Sequence, residues 1–124
     1  MTVKTLTAAN FEDTIVESPI VLVDLWAPWC GPCRAFAPVF ERSAQNHPDI
    51  VHAKVNTDAE RELAAAVGIR SVPTIMAFRE GILVYSQPGA MSPAVLDDLI
   101  GKIKGLDMTK VRAKIAERKA AANA

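Results

Sequence analysis

The chain is poor in the residues on which most site chemistries draw. Its 124 residues include two cysteines, two histidines and one tyrosine. With so few thiols, no framework of disulfide staples is available, and a tetrahedral metal site would need both cysteines and both histidines at once. No stretch approaches the roughly 20 apolar residues that span a bilayer. The start, Met1-Thr2-Val3-Lys4, has no charged segment followed by an apolar core, so the expected compartment is the cytoplasm. A dinucleotide-binding glycine pattern is missing too. Formal charge is zero, although it is spread unevenly. Residues 1–105 carry nine Lys/Arg against twelve Asp/Glu, and residues 106–124 carry five against two. Three excess positive charges with no aromatics between them read as a solvated helical face. No nucleic acid and no membrane are expected as partners.

What is present is half apolar and about a quarter charged, enough for one core of ordinary size. Periodicity and turn residues divide the chain into β-α-β-α-β-α-β-β-α, with an added helix beyond Gly105. Val3 to Leu6 alternates as a short strand. Thr7 is the expected cap of a helix to about Glu17, with Phe11, Ile15 and Val16 as its apolar stripe. Ile20 to Trp26 is a β-branched run suited to a strand buried on both faces. Arg34 to Gln45 is helical despite Pro38, which should kink it. Ile50 to Asn56 is a strand, and Asp58 is expected to cap a helix over 59–67 that Gly68 ends. Thr74 to Phe78 and residues 82–87 flank the tight turn Arg79-Glu80-Gly81. Ser92-Pro93 opens a helix with Val95, Leu96, Leu99, Ile100 and Ile103 on one face. Asp107 or Thr109 caps the last helix, with Val111 and Ile115 as a thin stripe fraying into the final alanines. The fold class is α/β: a mixed sheet, parallel with an antiparallel hairpin at its edge, covered by helices on both faces. Residues 1–105 form the domain and 106–124 a basic helical extension.

The two cysteines lie in Trp29-Cys30-Gly31-Pro32-Cys33, where the apolar strand hands over to a helix. Free N–H groups and the positive end of the helix dipole favour thiolate there. Cys30 in the first turn and Cys33 one turn on share a face, so their sulfurs can join with little backbone movement. A reversible dithiol–disulfide fits this placing. Zinc, with His47 and His52 completing the ligands, is the alternative, although both histidines read as ordinary surface residues. Cys30, the more exposed, would attack a substrate disulfide, and Cys33 would resolve the mixed disulfide. Asp24 interrupts the apolar strand. A carboxylate so placed is costly unless paired or protonated, and burial should raise its pKa towards neutrality. It is then either a structural acid or a proton relay for Cys33.

Two stretches carry a family resemblance: Val-Asp-Leu-Trp-Ala-Pro-Trp-Cys-Gly-Pro-Cys at 23–33 and Gly-Ile-Arg-Ser-Val-Pro-Thr at 68–74. Both are similar to the active-site segments of the thioredoxin family, and the order of elements matches over about residues 3–104. The resemblance implies the thioredoxin fold and a protein-disulfide reductase that maintains thiol redox balance and carries electrons. It implies no bound cofactor, with electrons reaching Cys30 and Cys33 from NADPH through a separate flavoprotein reductase. It pairs Lys54 with Asp24 as members of the catalytic set. It implies a cis Val72–Pro73 bond against the sulfurs, and a docking surface of Trp29, Gly31, Pro32, Val72, Pro73, Gly89 and Ala90 for disulfide-containing proteins. The expected state is a monomer. Pro28 and Pro88 depart from the commonest pattern and bear on substrate preference. A thiol oxidase or isomerase of the same fold, or a non-catalytic binding module, are the alternatives.

Overall fold

The computed structural model describes residues 3–123. Its elements are β1 (Val3–Thr5), α1 (Phe11–Glu17), β2 (Ile20–Trp26), α2 (Gly31–Asn46), β3 (Val51–Asn56), α3 (Arg61–Ala66), β4 (Thr74–Arg79), β5 (Ile82–Pro88), α4 (Pro93–Lys104) and α5 (Met108–Ala122). The strands form one sheet in the order β1-β3-β2-β4-β5. β3 runs parallel to both β1 and β2, whereas β4 runs antiparallel to β2 and β5. The mixed sheet with a hairpin at its edge is as the residue pattern predicts. Met1, Thr2 and Ala124 lie outside the described residues, and with Ala124 the last residue of the expected fraying tail. No helix among the described residues is long and apolar enough to cross a membrane.

β2 sits at the centre because it is apolar on both faces. Successive side chains of a strand point to opposite sides of the sheet. Leu22 accordingly joins a core with Phe36 and Phe40 of α2 and Leu96, Ile100 and Ile103 of α4. Val21, Val23 and Leu25 join the opposite core, with Ile15 of α1 and, at its margin, Leu63 of α3. Truncating Phe36 or Phe40 to alanine costs about 3–5 kcal/mol, the usual range for a buried ring. By the same alternation, Asp24 and Trp26 share the α2 face with Leu22. On β3, His52 and Lys54 also share that face.

Local chemistry explains the boundaries. The Ser92 hydroxyl accepts the Val95 N–H at 3.2 Å and Pro93 follows in the first turn, so α4 starts where the cap-then-proline order predicts. Asp107, rather than Thr109, caps α5: its carboxylate accepts the N–H groups of Thr109 and Lys110 at 3.0 and 3.3 Å. Glu80 and Gly81 both have positive φ, 53° and 78°, the two-residue turn whose twist matches a hairpin. Pro38 lies within α2, and the helix continues past it to Asn46.

Several expectations are corrected by tertiary packing. His52 is no surface residue: it is 1 % exposed and stacks near Phe40, because its face of β3 is the one α2 covers. Its Nδ1 donates to the Ile50 carbonyl at 3.2 Å, which leaves Nε2 to accept the Ser43 hydroxyl at 2.9 Å. His47 is half-buried and meets Asp97 at 2.7 Å. Val16 and Val95 are exposed, since no element lies over that edge of their helices. Asp58 does not cap α3, which starts at Arg61 with no side-chain cap. Asn56 instead accepts the N–H groups of Asp58 and Ala59. Thr7 caps a turn over residues 8–10, and regular helix begins only at Phe11. The alanines at 120–122 are helical.

Candidate active site

The C-terminal end of β2 and the N-terminal end of α2 meet at the cysteines. Cys30 is the N-cap of α2, just outside its first turn, and its sulfur accepts the Cys33 N–H at 3.2 Å. The free end of the helix therefore points at Cys30, as the dipole argument requires. The two cysteines are disulfide-bonded, with Cα atoms 5.2 Å apart. Both are nearly covered, Cys30 at 4 % exposure and Cys33 at 2 %, so the difference in accessibility expected between them is slight. Among the described residues no group of three or more His, Cys, Asp or Glu converges. His52 is occupied inside the core and His47 at the α2–α4 surface, so the four groups of the zinc alternative do not assemble.

The predicted docking residues come to this end of the sheet from three segments. Cys30 sulfur lies 3.7 Å from the Val72 carbonyl oxygen, and Val72 packs with Ala27, Cys30, Cys33 and Trp26. The Val72–Pro73 bond is cis and Pro73 is buried. The Pro73 carbonyl accepts the Gly89 N–H at 2.8 Å, which draws Gly89 and Ala90 to the same end of the sheet. Gly89 has a φ of 107°, a conformation open to glycine at little cost. Gly31, Pro32, Gly89 and Ala90 are exposed, and Trp29 is 69 % exposed. A shallow groove of about 350 Å³ runs beside them, walled by Trp29, Thr57, Ile69, Arg70 and Val72.

Asp24 is 4 % exposed, and its Oδ1 has no hydrogen-bond partner among the described residues. It faces Lys54 in the β2–β3 register, and the Lys54 ammonium sits 5.6 Å from the centre of the Trp26 ring. Burial pushes the Asp24 carboxyl up to about 7, and Lys54 pulls against that rise. The acid is thus poised to exchange a proton near neutral pH, on the face of the sheet over which α2 lies. Trp26 is half-buried among the cysteines, as core more than contact.

Two positioning residues escape sequence reasoning. The Trp29 indole N–H donates to Asp58 at 3.4 Å, and Arg34 donates to the Pro28 carbonyl at 2.8 Å. Together they hold the loop that carries the exposed tryptophan. Asp58 lies 29 residues from its partner, beyond the reach of any local pattern.

Known proteins place this arrangement. A family model described as Thioredoxin matches residues 2–102. A protein assigned as thioredoxin 2 in Streptomyces coelicolor is 50 % identical over 117 residues, covering 94 % of this chain and 87 % of that protein, so its match runs into α5. Thioredoxin 1 of Synechococcus elongatus is 46 % identical over 99 residues, covering 78 % of this chain and 92 % of its own. Among solved structures, a thioredoxin variant from Halobacterium salinarum superposes with a TM-score of 0.79 at 33 % identity, covering 85 % of this chain and 93 % of that one. Thioredoxin of Plasmodium falciparum gives 0.75 at 34 %, covering 80 % and 97 %. With most of its length matched by that family model and by these proteins, this chain, with its Cys30–Cys33 pair, belongs to the thioredoxin family of thiol–disulfide oxidoreductases.

Proposed function

We propose that the chain is a cytoplasmic, monomeric protein-disulfide reductase in which Cys30 attacks, Cys33 resolves and Asp24 takes the resolving proton. The observation that carries this is the sulfur of Cys30 at the open end of α2, accepting the Cys33 N–H beside the Val72 carbonyl. The Cys30 thiolate attacks one sulfur of a substrate disulfide, forming a mixed disulfide and expelling the other sulfur as a thiolate that is then protonated. The thiol of Cys33 loses its proton to Asp24 and attacks Cys30. The Cys30–Cys33 disulfide forms and the second substrate sulfur leaves as a thiolate, which is then protonated. Two electrons pass to the substrate, and a separate flavoprotein reductase drawing on NADPH returns them. Lys54 tempers the Asp24 carboxyl so that it can both hold and release a proton near neutrality.

Substrate docking falls to Trp29, Gly31, Pro32, Val72, Pro73, Gly89 and Ala90. The backbone of Val72 offers an extended substrate segment a strand-like partner, and the exposed Trp29 ring an apolar contact. Residues 1–105 make up this catalytic domain, with 106–124 as an appended helix.

The test is to equilibrate the Cys30–Cys33 couple against glutathione and to follow NADPH-dependent reduction of insulin with a thioredoxin reductase. A potential well below that of the glutathione pool, with turnover abolished in Cys30→Ser and a trapped mixed disulfide in Cys33→Ser, is the expected result. An oxidising potential would make the chain an oxidase or isomerase. A phenotype that survives replacement of both cysteines would make it a binding module.

A further inference from the structure

We propose that the cleft between β5 and α5 is a docking site for an acidic, apolar-anchored segment of a partner protein. The helix is fastened at its start. Met108 is buried, and Arg112 meets Glu80 of the β4–β5 turn. Arg79 donates to the carbonyls of Ile103, Lys104 and Leu106, fixing the link from α4 into α5. Past that anchorage α5 stands off the sheet edge and leaves a groove of about 210 Å³. Its floor is apolar: Leu83 is 49 % exposed, and Val84, Val111 and Ile115 are only half-covered.

The rim decides the occupant. Lys114 and Arg118 line the groove, and no carboxylate does. Among the described residues, Arg112 is the only α5 side chain in an ion pair, so Lys110, Lys114, Arg118 and Lys119 have no acidic partner. A segment that brings leucine-like anchors and carboxylates satisfies floor and rim together. A membrane fits less well. The larger apolar side chains of α5, Val111 and Ile115, turn towards β5 rather than outward, whereas helices that lie on bilayers present theirs to the lipid. A second copy of the chain would set two basic rims against each other.

The groove sits at the Arg79–Ile82 end of the sheet, whereas the cysteines sit at the Trp26–Thr74 end, about 20 Å away along the strands. A partner held there leaves the Trp29 surface free. The site stands whether or not the redox assignment does.

The experiment is a titration of the full chain with a short synthetic peptide alternating leucine and glutamate, followed by backbone amide NMR, with the leucine–lysine counterpart as control. Saturable shifts at Leu83, Val84, Val111 and Ile115 with the acidic peptide alone are expected. Affinity should fall about tenfold in Lys114→Glu/Arg118→Glu, with insulin reduction and helical circular dichroism unchanged. Leu83→Ser should weaken binding from the apolar side. Shifts centred on Trp29 and Val72, equal binding of both peptides, or no saturable binding would overturn the proposal. So would α5 shifts produced only by phosphatidylglycerol vesicles, or only by self-association on concentration.

Discussion

Asp24 and Lys54 stand opposite each other in the parallel β2–β3 ladder, an acid and a base on the sheet face that α2 covers. Burial dominates the pair: the Asp24 carboxyl rises to about 7 despite the nearby ammonium. An acid whose pKa is raised by folding favours the folded state fully below its unfolded value, 3.8, and loses that contribution as pH climbs through about 7. Asp24→Asn should therefore be about as stable as the parent at pH 4 and more stable at pH 8, by a few kcal/mol. Urea unfolding at the two pH values checks this. The same variant should reduce insulin about a hundredfold more slowly and lose the inflection near pH 7. An unaltered pH profile would remove Asp24 from the mechanism. Lys54→Met should move the parent inflection upward.

His52 pulls the other way. Burial lowers its pKa by desolvating the charged ring, and this outweighs the hydrogen bond to the Ile50 carbonyl, which raises it. A depressed histidine contributes stability above its unfolded value, 6.5, and that stability is lost as pH falls through the folded value. His52→Gln should flatten the acid limb of the stability curve below pH 6.5 while losing about 1–3 kcal/mol at pH 8 from imperfect replacement of the ring. Unfolding midpoints measured from pH 4 to 8 separate the two effects.

Pro73 occupies a buried position beside the Val72 carbonyl that faces Cys30. Removing its ring in Pro73→Ala should open room next to the thiols. The reduced variant should bind zinc and lose about tenfold in insulin reduction, metal content being read by elemental analysis. A variant that gained no metal and kept full activity would show that the ring neither guards the thiols nor shapes the docking surface.

Arg79 reaches three carbonyls at the end of α4, at 3.0, 3.2 and 2.7 Å. One nitrogen, Nη1, makes all three contacts from the far end of the side chain, and a lysine ammonium has a shorter reach. Arg79→Leu should cost about 1–3 kcal/mol in urea unfolding, with Arg79→Lys recovering only part. Hydrogen exchange in α5 should quicken while insulin reduction stays unchanged.

How far the chain could be read in advance follows from the range of each interaction. The cysteine pair at a strand–helix junction, the apolar central strand, the Ser92 and Asp107 caps and the Glu80-Gly81 turn all rest on residues within a few positions of one another. Local chemistry determines these features, so the order of elements, the fold and the dithiol were legible from the residues themselves. The burial of Asp24 was legible for the same reason, since an acid inside a β-branched run has few other environments.

Tertiary structure alone decided which helix edge is covered, which distant group meets which, and how open the thiols are. Val16 and Val95 fit their helical stripes and yet face solvent, and His52 looks polar and yet lies in the core, because coverage depends on elements far along the chain. Trp29 finds Asp58, Gly89 finds Pro73 and Arg79 finds the end of α4 only once the sheet is assembled. The spacing of residues along the chain determined the chemistry of the site, and the packing of the sheet against its helices determined its geometry, since hydrogen bonds and burial act over ångströms in space however many residues lie between.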